Sequence, residues 1–118
     1  MNIFILEDDV TRMQYFYKIF EKDNVTWAKD APEGLEAISN KKFDIIFLDH
    51  DLGGEQMVSS SHRNTGYTVA KEIHNSINKD TRVVIHSFNP IGAANMAACL
   101  PRAQRRPFGT FDGSILEE

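Results

Sequence analysis

Three short apolar runs in this chain each end abruptly at polar residues, and this pattern is what most constrains the fold. The runs cover residues 3–6, 45–48 and 83–85, and they are followed by Glu7-Asp8-Asp9, Asp49-His50-Asp51 and His86-Ser87-Phe88-Asn89-Pro90. Strands that are apolar on both faces are typical of parallel sheets covered by helices. In open sheets of this type, ligands bind where the strands end. We therefore expect the three polar clusters to meet in space.

The remaining segments alternate between helical and strand patterns. Apolar residues at helical spacing predict helices over 10–22, 31–39, 66–78 and 90–100, and further strands are predicted over 25–28 and 103–108. This alternation predicts an α/β, flavodoxin-like, doubly wound fold with a five-stranded parallel sheet in the order 2-1-3-4-5. The tail over 109–118 is too short and too broken by glycine for a full closing helix.

The length, charge and cysteine content restrict the number of domains, the partners and the cellular location that we expect. With 118 residues the chain predicts a single domain over 1–118. A formal net charge of -4 argues against a nucleic-acid polymer or an anionic membrane as partner. The single cysteine, Cys99, excludes an intramolecular disulfide and suits a reducing compartment, so we expect a cytoplasmic location. The oligomeric state stays open.

The acidic residues at the strand ends indicate a metal site. Glu7, Asp8 and Asp49 would converge beside the first and third strands, where their charges repel one another unless a cation or a proton lies between them. An all-oxygen site of this kind suits a divalent metal, Mg²⁺ first and Mn²⁺ as an alternative. The simpler interpretation is a solvated strand end, with Asp9 acting only as a helix cap.

Two histidines follow neighbouring strands. His50 and His86 could serve as general base and general acid on a phosphate ester, with Asp51 orienting His50 or joining the metal ligands. A structural role for each histidine is the alternative.

Three further residues suit phosphate binding. Asn89 before Pro90 predicts a capped helix start whose free N–H groups attract anions, Ser87 adds a hydroxyl, and Arg106 adds a guanidinium. A capped helix without a ligand is equally compatible with the pattern.

One long polar loop interrupts the alternation. Residues 53–65 hold two adjacent glycines and a run of three serines, and loops of this length in small domains are usually functional or disordered. We expect the loop to be mobile without ligand and to become ordered when ligand binds.

These residues resemble two-component receiver domains across nearly the whole chain. The resemblance rests on the acidic pair after strand one, the aspartate after strand three, a hydroxyl after strand four and a cation before Pro107-Phe108. Receivers normally carry lysine where Arg106 stands, and they rarely insert a loop like 53–65.

A narrower family matches more of these positions. The chain resembles the cyclic-phosphate processing receiver domains of bacteria and their phages in the segments Asp49-His50-Asp51-Leu52-Gly53-Gly54, Thr65-Gly66-Tyr67 and His86-Ser87-Phe88-Asn89-Pro90. The resemblance implies a cyclic phosphate or cyclic nucleotide as ligand. The resulting hypothesis is a metal-assisted phosphoesterase. The alternatives are a response-regulator receiver phosphorylated on Asp49 and a cyclic-nucleotide binder without catalysis.

Overall fold

A computed structural model describes all 118 residues of the protein. Its strands are β1 (Asn2–Leu6), β2 (Asn24–Ala28), β3 (Ile45–Leu48), β4 (Arg82–Ile85) and β5 (Gln104–Arg105). Its helices are α1 (Val10–Ile19), α2 (Ala31–Asn40), α3 (Gly66–Ile73) and α4 (Pro90–Cys99), followed by a short 3₁₀ helix (Gly113–Glu117). No helix has the length and apolar character that crossing a bilayer requires.

The five strands form one parallel sheet in the order β2-β1-β3-β4-β5, which confirms the predicted fold and strand order. The short 3₁₀ helix stands in place of a full closing helix, as expected. The predicted boundaries were too generous at three elements, because α1 ends at Ile19, α3 ends at Ile73 and β5 holds only two residues.

Three helix starts are fixed by the side chains that the sequence indicated. Asp9, Asp30 and Asn89 each accept a hydrogen bond from the backbone N–H three residues later. Each cap satisfies a donor that the first helical turn leaves without a partner. In α2 and α4 a proline in the first turn adds a backbone already set for the helix.

Alternation along the strands divides the core into two layers. One layer contains Phe4, Leu6, Ile46, Leu48 and Ile85, packed against α2, α3 and α4. The other contains Ile3, Ile5, Ile45, Phe47 and Val84, packed against α1 and the 3₁₀ helix. Successive residues of an extended strand point to opposite faces of the sheet, so a residue's position in its strand decides which layer it joins.

One buried amide holds the amino-terminal edge of the sheet. Asn78 is fully buried, its Oδ1 accepts from the Phe43 N–H at 2.8 Å, and its Nδ2 donates to the carbonyls of Ile38 and Lys41 at 2.8 and 2.7 Å. The amide therefore links the end of α2 to the start of β3 without relying on water.

We predict that Asn78→Ala lowers the free energy of unfolding by about 2–4 kcal/mol, because it leaves several backbone groups buried without partners. Urea denaturation measures the change. Asn75→Ala, at an exposed position just upstream, is the control and should change stability by less than about 0.5 kcal/mol. Equal effects of the two substitutions would contradict the role given to Asn78.

Candidate functional site

The three polar clusters meet at the carboxyl edge of the sheet. Leu6, Leu48 and Ile85 end aligned strands, so the residues that follow them become neighbours. Glu7, Asp49 and His86 are all buried, and one potential ligand atom from each lies within 4.8 Å of the others. The sequence predicted that Glu7, Asp8 and Asp49 would converge. Glu7 and Asp49 do, but the third member of the group is His86 instead of Asp8, and His86 was predicted to act in proton transfer.

An arginine that sequence reasoning missed lies among these acids. Arg12 Nη2 contacts Glu7 Oε2 at 2.8 Å and Asp49 Oδ2 at 3.4 Å, and it lies 3.7 Å from Asp8 Oδ1. Arg12 Nε donates a second hydrogen bond to Glu7 Oε1 at 2.9 Å. The available signal was its spacing, because a residue four positions after Asp8 on a helix starting at Val10 faces the same strand end.

The pKa values of the two buried carboxyls, Glu7 and Asp49, are shifted in opposite directions. Burial alone would raise the pKa of Glu7, but hydrogen bonds from His86 and Arg12 outweigh it and lower that pKa to about 2. Burial dominates at Asp49 and, with the negative charge of Glu7, raises its pKa to about 7 despite the positive charges nearby. Asp49 therefore lacks full charge compensation, which makes it the natural partner for an added cation.

His86 belongs to the α1 face of the sheet. Its Nε2 donates to Glu7 Oε1 at 3.0 Å, and its ring packs edge-on against Phe16 with 5.2 Å between centroids. Its other ring nitrogen, Nδ1, is buried without a hydrogen-bond partner.

His50 lies on the opposite face, beneath α4. Its ring contacts Gly92, where an added Cβ would lie only 2.6 Å from Nδ1. Nδ1 pairs with Asp51 Oδ1 at 2.8 Å, and Nε2 pairs with the Ser60 hydroxyl at 2.9 Å. Sequence reasoning paired His50 with Asp51 correctly but missed Ser60, whose position depends on how the long loop folds.

These placements correct the proposed histidine pair. Residue 50 is two positions beyond Leu48 and residue 86 is one position beyond Ile85, so strand alternation sends their side chains to different faces. His50 and His86 do not flank a common phosphate position. A joint acid and base role for them is therefore excluded by the geometry.

Asp51 and Asn89 fasten the long loop to the sheet edge. Asp51 accepts from the N–H groups of Met57 and Val58 at 2.7 and 3.2 Å, while Asn89 Nδ2 donates to Asp51 Oδ1 at 3.0 Å and to the Val58 carbonyl at 3.1 Å. Burial by itself would raise the pKa of Asp51, but hydrogen bonds from His50 and Asn89, and then from Met57 and Val58, outweigh it and lower that pKa. The conformation of the loop thus depends on the motif residues.

The loop separates two cavities. The first, the acidic crevice, has a volume of about 320 Å³ and lies over the metal candidates; its lining includes Asp8, Asp9, Asp49, Asp51, Glu55, Arg12 and Ser87. The loop borders it and is joined to it by the Gly54 N–H, which donates to Asp8 Oδ2 at 2.7 Å. Ser87, which was predicted to bind phosphate, lines this crevice, and its hydroxyl accepts from the Asn89 N–H at 3.0 Å.

The second cavity, here called the basic cavity, lies between the loop and α2 and has a volume of about 590 Å³. Its eleven lining residues include no carboxylate; they are Ala31, Pro32, Leu35, Ser60, Ser61, His62, Arg63, Asn64, Tyr67, Thr68 and Lys71. Asn64 joins the loop to α2 by accepting from the Ala31 N–H at 2.9 Å. This cavity could not be predicted from the sequence, because its walls come from three separate segments: α2, the loop and α3.

Arg106 takes no part in either cavity, which corrects its predicted role in phosphate binding. Its guanidinium donates to Glu118 Oε1 at 2.7 Å and lines a separate depression near Thr110. Its backbone still pairs with the end of β4, where the Arg106 N–H donates to the Ile85 carbonyl at 2.9 Å, but its side chain is held by Glu118. The positive charge in the crevice comes from α1 instead.

Residues 1–102 match the family described as "Cyclic-phosphate processing Receiver domain". A comparison with curated protein sequences finds no match.

Solved receiver structures share the fold at low sequence identity. A CheY-like response regulator receiver from Methanospirillum hungatei is 18% identical with a TM-score of 0.73, covering 98% of this chain and 86% of its own. A Burkholderia pseudomallei response regulator with a phosphorylated aspartic acid, calcium ion and citrate is 17% identical with a TM-score of 0.76, covering 98% of this chain and 64% of its own. The receiver domain of a Pseudomonas aeruginosa sensor histidine kinase, with magnesium coordinated in its active site cleft, is 17% identical with a TM-score of 0.69. The match covers 98% of this chain and 90% of that domain's chain.

We predict that Gly92→Ala loosens the loop by displacing the His50 ring. Alanine favours the helical conformation of α4 by about 1 kcal/mol relative to glycine, but the clash of its methyl group with His50 costs about 1–3 kcal/mol. Hydrogen exchange should accelerate over residues 53–64. Mass spectrometry of the exchanged protein measures this.

The matched control is Ala94→Gly, at an exposed position of the same helix. It should cost about 1 kcal/mol through helix propensity and leave exchange in the loop unchanged. Unaltered loop exchange in Gly92→Ala would show that His50 does not hold the loop.

Proposed function

Because the chain belongs to the cyclic-phosphate processing receiver domains, we propose that it binds a cyclic phosphate or cyclic nucleotide in the basic cavity and hydrolyses it. The observation that supports this best is the segregation of charge around the loop. Arg63, Lys71 and His62 line a cavity without acids, and its volume lies in the range of small-molecule sites.

The basic cavity also offers contacts for a nucleobase. Tyr67 lines it, and Lys71 Nζ lies 4.9 Å from the centroid of the Tyr67 ring. An aromatic ring can stack on a base of any type, while cations and hydroxyls bind the phosphate. Ser60 and Ser61 also line the loop side of the cavity.

The acidic crevice is unsuited to an anion by itself. Five carboxylates line it against the single guanidinium of Arg12, so a phosphate would meet net repulsion there. This difference between the two cavities is why the proposal assigns the ligand to the basic one.

We assign a divalent metal, Mg²⁺ or Mn²⁺, to the acidic crevice as part of the same proposal. Asp8 and Asp49, which line the crevice, would hold it with Glu7, which is grouped with Asp49 behind the crevice wall, and the partly uncompensated charge of buried Asp49 fits a cation at this position. When bound, the metal would neutralise the carboxylates and polarise an oxygen ligand. Arg12 contacts two of the same carboxylates, so some of its ion pairs with Glu7 and Asp49 must break when the metal binds.

Phosphorylation of Asp49 is the second candidate function. Asp49 lies at the end of the third strand and lines the open crevice, and a related response regulator carries a phosphorylated aspartic acid. A receiver of this kind would gain the mass of one phosphoryl group from a small phosphodonor such as acetyl phosphate. It would not hydrolyse cyclic nucleotides.

We predict that the double substitution Arg63→Gln with Lys71→Gln weakens binding of cyclic nucleotides at least about tenfold, because two charge-assisted contacts are lost. Isothermal titration calorimetry with cyclic AMP, cyclic GMP, cyclic CMP and cyclic UMP measures the affinity. Chromatography of the same mixtures with Mg²⁺ measures hydrolysis.

Arg102→Gln is the control, since Arg102 is exposed and lines a different cavity, next to Asp80. It should bind as the wild type does. If the double variant binds as tightly as the wild type, the ligand does not occupy the basic cavity.

We predict that Arg12→Gln makes stability depend on metal. Removing the guanidinium leaves Glu7 and Asp49 without their main cation and should cost about 2 kcal/mol, a value reduced because Arg12 is partly exposed. Adding Mg²⁺ should then raise the Tm of this variant more than that of the wild type.

Thermal unfolding with and without Mg²⁺ provides the measurement, and Arg12→Gln combined with Asp49→Asn provides the control. The combined variant should lose most of the metal response. Equal Mg²⁺ responses in all three proteins would argue against a metal at these carboxylates.

A further inference from the structure

Three side chains at the loop form a continuous chain of hydrogen bonds. Asp51 Oδ1 lies 2.8 Å from His50 Nδ1, and His50 Nε2 lies 2.9 Å from Ser60 Oγ. His50 is fully buried, whereas Ser60 is only partly buried. A hydroxyl, an imidazole and a carboxylate in this order are the arrangement by which proteins activate a serine.

The direction of each hydrogen bond follows from the chemistry of its partners. An ionised carboxylate can only accept, so His50 Nδ1 carries the proton and donates to Asp51. Nε2 is then left with a lone pair that accepts from the Ser60 O–H. The Asn89 amide nitrogen, 3.3 Å from Nδ1, is another donor, and its hydrogens go instead to Asp51 and the Val58 carbonyl.

A fourth residue fixes the hydroxyl. Asn95 Nδ2 donates to Ser60 Oγ at 2.8 Å, so the oxygen is held from α4 while its proton is directed to His50. The neighbouring serines differ, because the Ser59 and Ser61 hydroxyls pair with each other at 2.9 Å. Within the serine run, only Ser60 has an imidazole as its partner.

Ser60 also lies at the wall of the basic cavity, beside the positive charges of Arg63 and Lys71. An anionic ester held by these cations would lie in the cavity whose wall includes Ser60. His50, in contrast, is separated from the solvent by the loop and by α4, which fixes its ring in one orientation.

We propose that Ser60 is a catalytic nucleophile, with His50 as its general base and Asp51 as the residue that positions His50. This inference rests on the proposed function and adds the attacking atom. Ser60 Oγ forms a bond to the phosphorus of a cyclic diester while the bond from phosphorus to one ring oxygen breaks. His50 accepts the serine proton and passes it to the departing ring oxygen, which stays attached to the ligand as a hydroxyl.

Water completes the reaction. His50 takes a proton from a water molecule whose oxygen bonds to phosphorus, the bond from phosphorus to Ser60 Oγ breaks, and His50 returns the proton to Ser60. The product is the ring-opened phosphate monoester, and the enzyme is regenerated without any redox partner. The first step adds the whole mass of the cyclic ligand to the protein.

A fluorophosphonate probe tests the nucleophile without knowledge of the natural ligand. Ser60 Oγ would bond to its phosphorus as fluoride leaves, with the proton taken by His50. We expect the folded wild-type chain to be labelled at Ser60, as mapped by peptide mass spectrometry. Ser60→Ala should lose the label, and the matched control Ser59→Ala should keep it. Absence of label in the wild type, or label retained in Ser60→Ala, overturns the proposal.

The role of His50 needs a variant that reports reactivity separately from folding. His50→Gln should lower the labelling rate about 100-fold or more while circular dichroism confirms the fold. As a test that does not alter His50, Ser60→Cys should react with iodoacetamide faster than Ser59→Cys, because only a thiol at residue 60 has an imidazole beside it. Equal alkylation rates at the two positions overturn the proposal.

Hydrolysis of cyclic nucleotides separates the failure of this inference from failure of the proposed function. Turnover that persists in Ser60→Ala overturns the nucleophile and leaves the proposed function in place. Labelling of Ser60 without hydrolysis of any tested cyclic nucleotide supports the nucleophile and argues against the proposed function. A covalent adduct carrying the whole ligand at Ser60 supports both, whereas a phosphoryl group alone on Asp49 supports the receiver alternative.

Discussion

The alternation of side chains along the strands is the constraint on which the rest of this structure depends. Leu48 and Ile85 end aligned strands and point to the same core layer, so Asp49 and His86 point to the other. One residue later the direction reverses, and His50 lies under α4 instead of beside Glu7. The same geometric rule therefore assembles the buried group of Glu7, Asp49 and His86 and removes His50 from it. Two histidines that look equivalent along the chain are given unrelated surroundings.

The direction of His50, opposite to that of Asp49, also influences the conformation of the long loop. Because His50 is directed towards α4, its ring can bond Ser60, and Asp51 bonds His50 with one oxygen while accepting from the N–H groups of Met57 and Val58. Asn89 caps α4 with its oxygen and binds the loop with its nitrogen, so one side chain couples the helix start to the loop. The loop holds few large apolar side chains, and polar contacts of this type supply much of its attachment. Its predicted mobility and ordering by ligand remain predictions.

The loop, and not the sheet, separates the acidic side chains of the crevice from the cations of the basic cavity. The acids gather where the strands end, and Arg12 from α1 offsets part of their repulsion. The cations of the basic cavity, Arg63 and Lys71, lie on the far side, where no carboxylate competes with an anion. A small domain with a net charge of -4 thus carries one cavity lined mainly by acids and another whose lining holds cations and no acid. Asp51, His50 and Ser60 connect the two sites through hydrogen bonds.

The sequence by itself determined the sheet order, the three helix caps and the meeting of the acidic strand ends, because apolar runs, caps and parallel-strand topology are local or periodic signals. It also paired His50 with Asp51, which are adjacent. Only the tertiary structure decided that His50 and His86 lie on different faces, that Arg12 rather than Arg106 supplies the nearby positive charge, and that Ser60 reaches His50. These outcomes depend on side-chain direction at strand ends and on the path of an irregular loop. Neither follows from periodicity, because contacts between residues far apart along the chain select among conformations that are locally equivalent.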